Sequence, residues 1–197
     1  LRLRQFTTPG RHRALTARVC LAPVTPLLFQ GQEFSATSPF LFFADHEPDL
    51  AVQVREGRQA EMRNFTRQAE PLSDEQCADP ADRRTFEQCK LDWSQRDTHR
   101  EAYRLHHDLL QLRRDDAVFS AQRADRVHGA VLAAEAFLLR YLGVEGDDRL
   151  VLVNLGRDLE WSPAAEPLSA PPTGRQWRLL WSSEDPRYGA SGTPPFD

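Results

Sequence analysis

Lysine is almost missing from this chain of 197 residues. Lys90 is the only one among 25 lysines and arginines. The bias is read as codon composition rather than mechanism, and it removes most candidates for lysine chemistry. Cysteine is scarce and odd in number: Cys20, Cys77 and Cys89, with no C-x-x-C spacing. That points to free thiols in a reducing compartment, used as small packing residues, and gives little support to a metal site. No apolar run approaches a membrane span. Leu1-Arg2-Leu3-Arg4 offers no apolar signal region. There is no P-loop and no dinucleotide fingerprint. A net charge of -4 and a pI near 5.9 argue against a nucleic-acid or anionic-membrane surface. The first residue is Leu, not Met, so the chain is expected to be processed, excised or incomplete.

What is present is globular: 40% apolar and 27% charged residues, enough for one large domain or two small ones. Leu15, Val19 and Ala22 predict a helix over 11–21 that Pro23 ends. Thr25 to Phe29, apolar between breakers, predicts a buried strand, and Gly31 to Pro39 a loop leaving its C-terminal end. Pro48 to Arg58 reads as a helix start with Glu47 and Asp49 in its first turn. Residues 66–98 read as a long polar loop or insertion. Asp97-Thr98 should cap a strong helix with Ala102, Leu105, Leu109 and Leu112 on one face, and Arg113-Arg114 where cations suit its dipole. Beyond Ala117 the period changes. Val127 to Ala134, Ala136 to Leu142, Arg149 to Asn154 and Gln176 to Trp181 predict strands, with a turn at Glu145 to Asp148.

Chemistry concentrates in residues 25–48. Phe40, Phe42 and Phe43 precede Asp45, His46 and Glu47. Aromatic faces stack on the apolar faces of sugar rings while carboxylate and imidazole bond hydroxyls, so a carbohydrate surface is one reading. Core packing beside a solvated helix start is the other, and the commoner origin of such a pattern. Glu33 lies just past a predicted strand end, where binding loops sit in a parallel barrel. His99 and His106 lie seven apart; too few further ligands accompany them for zinc, and a hydrated helix surface is the plainer account. Gly189 to Thr193 superficially resembles a nucleophile elbow, but the Gly required two residues after Ser191 is Thr193.

Several stretches together carry a resemblance. Thr25-Pro-Leu-Leu-Phe-Gln-Gly-Gln-Glu33 resembles the eighth barrel strand of the alpha-amylase superfamily. Ser38-Pro-Phe-Leu-Phe-Phe-Ala-Asp-His46, Thr85-Phe-Glu-Gln-Cys-Lys-Leu-Asp-Trp93 and Leu180-Trp-Ser-Ser-Glu-Asp-Pro-Arg-Tyr-Gly-Ala-Ser-Gly-Thr-Pro-Pro195 narrow it to the malto-oligosyltrehalose trehalohydrolases. The resemblance implies retaining hydrolysis of the α-1,4 bond beside the terminal trehalose of maltooligosyl trehalose, by an Asp nucleophile, a Glu acid/base and a second Asp. In the family these three precede the strand matched by 25–29, the last in an Asn-His-Asp run that is absent here. No catalytic residue is therefore carried over.

The resemblance implies an α/β barrel remnant, the last strand and helices of a (β/α)8 barrel, over residues 1–120. An all-β antiparallel C-terminal domain would follow over 121–197, with strands expected to be missing at its end. Glu33, Asp45 and His46 are the expected substrate-binding residues, with no cofactor and no metal. The expected partner is maltooligosyl trehalose or a related α-glucan oligosaccharide, in the cytoplasm, without nucleic acid or membrane. The chain alone is expected to be inactive and poorly folded in its first half. A non-catalytic carbohydrate-binding or assembly module and a glucan branching enzyme fragment are the alternatives.

Overall fold

The structure, a computed structural model, describes residues 2–66, 78–157, 159 and 165–193. Helices α1 (Pro9–Leu21), α2 (Pro48–Thr66), α3 (Arg83–Cys89), the one-turn α4 (Gln95–Thr98), α5 (Arg100–Asp115) and the one-turn α6 (Ala117–Ser120) precede strands β1 (Val127–Ala133), β2 (Ala136–Tyr141) and β3 (Arg149–Asn154). They divide into two compact units, Leu1–Phe6 with Ala36–Gln95, and Thr7–Ser35 with Arg96–Asp197. The change from helical to strand periodicity near 117–125 falls inside the second unit.

In the second unit, Thr8 caps α1 by accepting the Arg11 N–H at 3.3 Å, and Pro9 takes the first helical position, where its missing N–H costs nothing. The buried face of α1 is Thr16, Ala17, Cys20 and Leu21, not the predicted Leu15–Val19 stripe; Val19 is exposed. Small side chains let α1 approach α5, whose Leu105 and Leu109 are fully buried as the spacing predicted. Phe119, Tyr141 and Tyr188 complete this core. Helix α5 starts later than predicted. Asp97 and Thr98 belong to α4, and His99 occupies the cap position without a side-chain cap bond.

Three predicted strands form one antiparallel sheet in the order β1-β2-β3. The β2–β3 connection turns at Glu145 and Gly146, both at positive φ (53° and 73°), and Asp148 accepts the Gly143 N–H at 2.9 Å. Strand β2 is central and two-faced. Leu139 and Tyr141 face the helices, and the Tyr141 hydroxyl donates to the Leu21 carbonyl at 3.2 Å. On the other face Leu138 is fully buried. Beside it Arg140 pairs with Asp148 at 2.8 Å and donates to the Leu168 and Ala170 carbonyls at 3.3 and 2.8 Å.

Two predicted strands do not form. Gln176 to Trp181 and Thr25 to Phe29 are extended but join no ladder. A strand needs a neighbour for its backbone groups, and among the described residues neither segment has one. Leu27 is 90% exposed, while Leu28 packs against the core.

The first unit is pinned by side chains onto backbone. Asp82 caps α3 through the Arg84 N–H at 2.8 Å, and the buried Thr85 hydroxyl donates to the Asp79 carbonyl at 2.7 Å. The stretch predicted as a loop thus contains α3, while residues 67–77, Cys77 included, lie outside the described residues. Helix α2 runs on to Thr66, beyond the predicted Arg58.

Arg113 joins the two helices of the core. Its guanidinium donates to the Cys20, Ala22 and Val24 carbonyls at 2.9, 2.5 and 2.7 Å, closing the C-terminal end of α1. Arg113→Met should leave three carbonyls without a donor and cost about 3 kcal/mol. Arg113→Lys, with no planar fork, should recover only part of that. Urea unfolding checks both, and equal midpoints for Arg113→Lys and wild type would remove the fork from the account. Burial also pushes the Cys20 thiol up to about 11, with Arg113 acting the other way.

Candidate functional site

The aromatic–acid segment lies in the first unit as an extended ribbon. The Leu41 N–H meets Cys89 Sγ at 3.1 Å, with both residues buried. The Ser38 hydroxyl donates to the Lys90 carbonyl at 2.7 Å, the Gln95 amide brackets Thr37 at 2.8 and 2.7 Å, and the Ala44 N–H donates to the Pro80 carbonyl at 3.0 Å. With the backbone fixed, Leu41 is turned inward and the rings on either side of it outward. Leu41 is buried, whereas Phe40, Phe42 and Phe43 are exposed by 47%, 43% and 38%. These three rings therefore lie at the surface of this unit rather than in its core. Arg58 of α2 stands over the Phe42 ring at 4.4 Å, and Phe43 meets Phe86 edge to face at 5.1 Å. Asp45, exposed, and His46, half-buried, follow directly and lead into α2.

Glu33 lies in the second unit, in a tight turn over residues 30–35. Gly31 and Ser35 both take positive φ there (75° and 52°), so the chain reverses sharply. The turn is tied to α5: His99 Nδ1 lies 3.1 Å from the Phe34 carbonyl, and Phe34 is fully buried. Asp45 and His46 are thus neighbours, whereas Glu33 belongs to the other unit.

Sequence reasoning missed His106. Instead of a hydrated surface it has a site 1% exposed, with Nδ1 2.8 Å from the Ala102 carbonyl and Nε2 without a hydrogen-bond partner among the described residues. Nδ1 therefore carries the proton and Nε2 a lone pair. The one available signal was the helical register, since His106 is adjacent to Leu105 and three before Leu109. Among the described residues no group of three or more His, Cys, Asp or Glu could hold a metal ion.

With this geometry in hand, three comparisons bear on the chain. Residues 124–195 match the family model described as "domain of unknown function (DUF3459)". The malto-oligosyltrehalose trehalohydrolase of Deinococcus radiodurans is 39% identical over 160 residues, 80% of this chain and 26% of the relative. The enzyme of the same name from Mycobacterium tuberculosis is 31% identical over 192 residues, 96% of this chain and 30% of the relative. This chain is related to the malto-oligosyltrehalose trehalohydrolases. It spans between a quarter and a third of the length of these two trehalohydrolases. The crystal structure of a candidate alpha amylase from Salmonella typhimurium superposes with a TM-score of 0.66 at 30% identity, over 79% of this chain and 26% of that one. The relationship is to glycoside hydrolases, and the three-stranded antiparallel sheet with its helices is consistent with a C-terminal domain of such an enzyme. No helix among the described residues is long and apolar enough to cross a membrane.

Burial holds the His106 imidazole below its ordinary 6.5, although the Ala102 carbonyl and the Glu33 carboxylate both favour the proton. Just below pH 6.5 the unfolded chain therefore binds more protons at this residue than the folded one, and stability rises with pH through that window. His106→Gln removes the titration. Urea midpoints measured from pH 5 to 7 should rise for wild type and be flatter for His106→Gln; parallel curves would show that other groups set the slope.

Proposed function

We propose that this chain forms the C-terminal part of a cytoplasmic glycoside hydrolase that releases trehalose from maltooligosyl trehalose. One observation carries the barrel half of this reading. Helix α5 holds both ends of the segment 24–34, Val24 through Arg113 in its last turn and Phe34 through His99 at its start. The segment therefore runs antiparallel to α5, the arrangement of a strand and the helix that follows it in a βα unit. An extended stretch with Leu27 turned outward and Leu28 inward is suited to be a barrel strand once neighbours flank it. Residues 1–120 then make the end of a (β/α)8 barrel and 121–197 a β-domain. Glu33 leaves the C-terminal end of that strand, the side on which barrel enzymes bind substrate.

The exposed ribbon supports the substrate class. Phe40, Phe42 and Phe43 offer flat apolar faces beside Asp45 and His46, which bond hydroxyls, a pairing suited to an α-glucan chain. We assign Glu33, Asp45 and His46 substrate-facing roles. No residue of this chain is assigned catalysis, because the three catalytic carboxylates implied by the family have no counterpart in its motifs.

The test is trehalose release from maltooligosyl trehalose by the natural-length protein, followed by chromatography. Asp45→Asn and His46→Ala should each lower kcat/KM about tenfold, as expected for loss of one hydrogen bond to a buried substrate hydroxyl. Unchanged kcat and KM in both variants would remove those two roles. Transfer products in place of free trehalose would move the reaction to glucan branching.

A further inference from the structure

We propose a second, non-catalytic binding site for a neutral oligosaccharide in the second unit, in the cleft between α5 and residues 179–188. The cleft has a volume of about 510 Å³ and is lined by Asp108, Gln111, Leu180, Trp181, Asp185 and Arg187 among others. That volume lies within the roughly 300–1,000 Å³ usual for small-molecule clefts.

Its polar groups are set in advance. The buried Tyr188 hydroxyl accepts the Trp181 indole N–H at 3.0 Å and donates to Asp108 at 2.8 Å. Trp181 is thereby held in one orientation, its ring tilted 35° against Tyr188 at 5.8 Å. Arg187 pairs with Asp185 at 2.9 Å and reaches Asp108 at 3.6 Å. Asp108 also faces His107 at 3.0 Å. Gln111, exposed on α5, donates one amide N–H to the Asp115 carboxylate and keeps a second N–H and its carbonyl oxygen for a ligand.

This lining selects a class of ligand. The carboxylates are already paired with Arg187, and Asp108 also accepts hydrogen bonds from Tyr188 and His107, so a strongly charged ligand would have to break these contacts to enter. A neutral polyol would not, because the paired carboxylates keep free lone pairs and Gln111 can donate and accept. The fixed indole, with Leu180 half exposed beside it at 53%, supplies the apolar contact that a sugar ring needs and a simple polyol lacks. The choice of an α-glucan rests on the proposed function; the cleft itself asks only for a neutral sugar chain.

Hydrogen exchange of the natural-length protein, with maltopentaose as the probe and sorbitol as control, tests this. Maltopentaose should slow exchange in peptides covering 107–113 and 179–188, and sorbitol should not. Gln111→Ala places the best helix former at an exposed position and should keep the fold. It should raise the sugar concentration for half-protection about fivefold. Arg187→Ala serves as a second variant, read only if its thermal unfolding matches wild type. Protection confined to peptides around 33–46 would overturn the cleft and leave the proposed function standing. Protection in the cleft alone would support it and count against the substrate-facing roles of Asp45 and His46. No protection anywhere would overturn the second site, whatever the trehalose assay shows.

Discussion

The guanidinium of Arg113 closes the open end of α1. Helix C-termini leave carbonyls without intrahelical partners, and α1 stops against Pro23, which has no N–H to offer. Arg113 reaches from the last turn of α5 into that gap and satisfies three carbonyls at once. The side chain is almost fully buried, so those bonds form away from competing water. The core cluster of the second unit is built around the α1–α5 contact that this residue closes. Ala17 and Cys20 are small enough to allow it, and Leu105 and Leu109 fill it.

The same chemistry recurs and changes the meaning of the missing lysines. Arg140 holds the chain at Leu168 and Ala170 against the outer face of β2, and Arg175 donates to the Glu145 carbonyl in the β2–β3 turn. Arg13 donates to the Ser183 carbonyl while pairing with Glu184, and Arg11 binds the Leu155 carbonyl and Glu135. Arg140, Arg13 and Arg11 each tie an irregular segment to a regular element, and Arg175 ties one to a turn. A planar fork with five donors can bridge a carbonyl and a carboxylate together, which an ammonium on a flexible stem does poorly. Codon composition is thus an incomplete account of the arginines: the fold uses their geometry where ladder hydrogen bonds are missing.

What could be read in advance was local. The alternation and turn signals of β1 to β3 and the 3-4-3 stripe of α5 depend on residues a few positions apart, and all were legible. The rest depends on partners distant in sequence. Gln176 to Trp181 has strand composition, but its Trp177 indole bonds the Ser169 carbonyl at 2.7 Å and no neighbouring strand among the described residues meets its backbone. The buried face of α1 was misjudged because Leu15 and Val19 are the larger apolar groups, while close approach to α5 favours the smaller Ala17 and Cys20. His106 carries only the weak mark of its register beside Leu105 and Leu109, and the packing of α5 against α1 puts it inside. At the candidate site, the outward Phe rings and the Asp45–His46 pair were legible as a pattern. Their exposure was not, because it is set by the buried Leu41–Cys89 contact, 48 residues apart in sequence.

Arg113 also links the core to the proposed site. It fixes Val24, and the extended stretch that leaves Val24 has nine residues before His99 fixes Phe34. The two anchors stand at opposite ends of α5, which at 1.5 Å per residue is about 21 Å long between residues 99 and 113. A chain of ten steps could reach about 33 Å fully extended, so the excess is taken up by the turn at Gly31 to Ser35. That turn carries Glu33 and sets it where its carboxylate acts on the buried His106. The position of Glu33 therefore follows from the length of one helix, two side-chain bonds to backbone, and the turn's own bonds from the Gln32 N–H to the Phe29 carbonyl and the Ser35 N–H to the Gln32 carbonyl at 2.9 and 3.0 Å. A change that frees Val24 would shift the turn along α5 and move Glu33 with it, although Arg113 makes no contact with the turn.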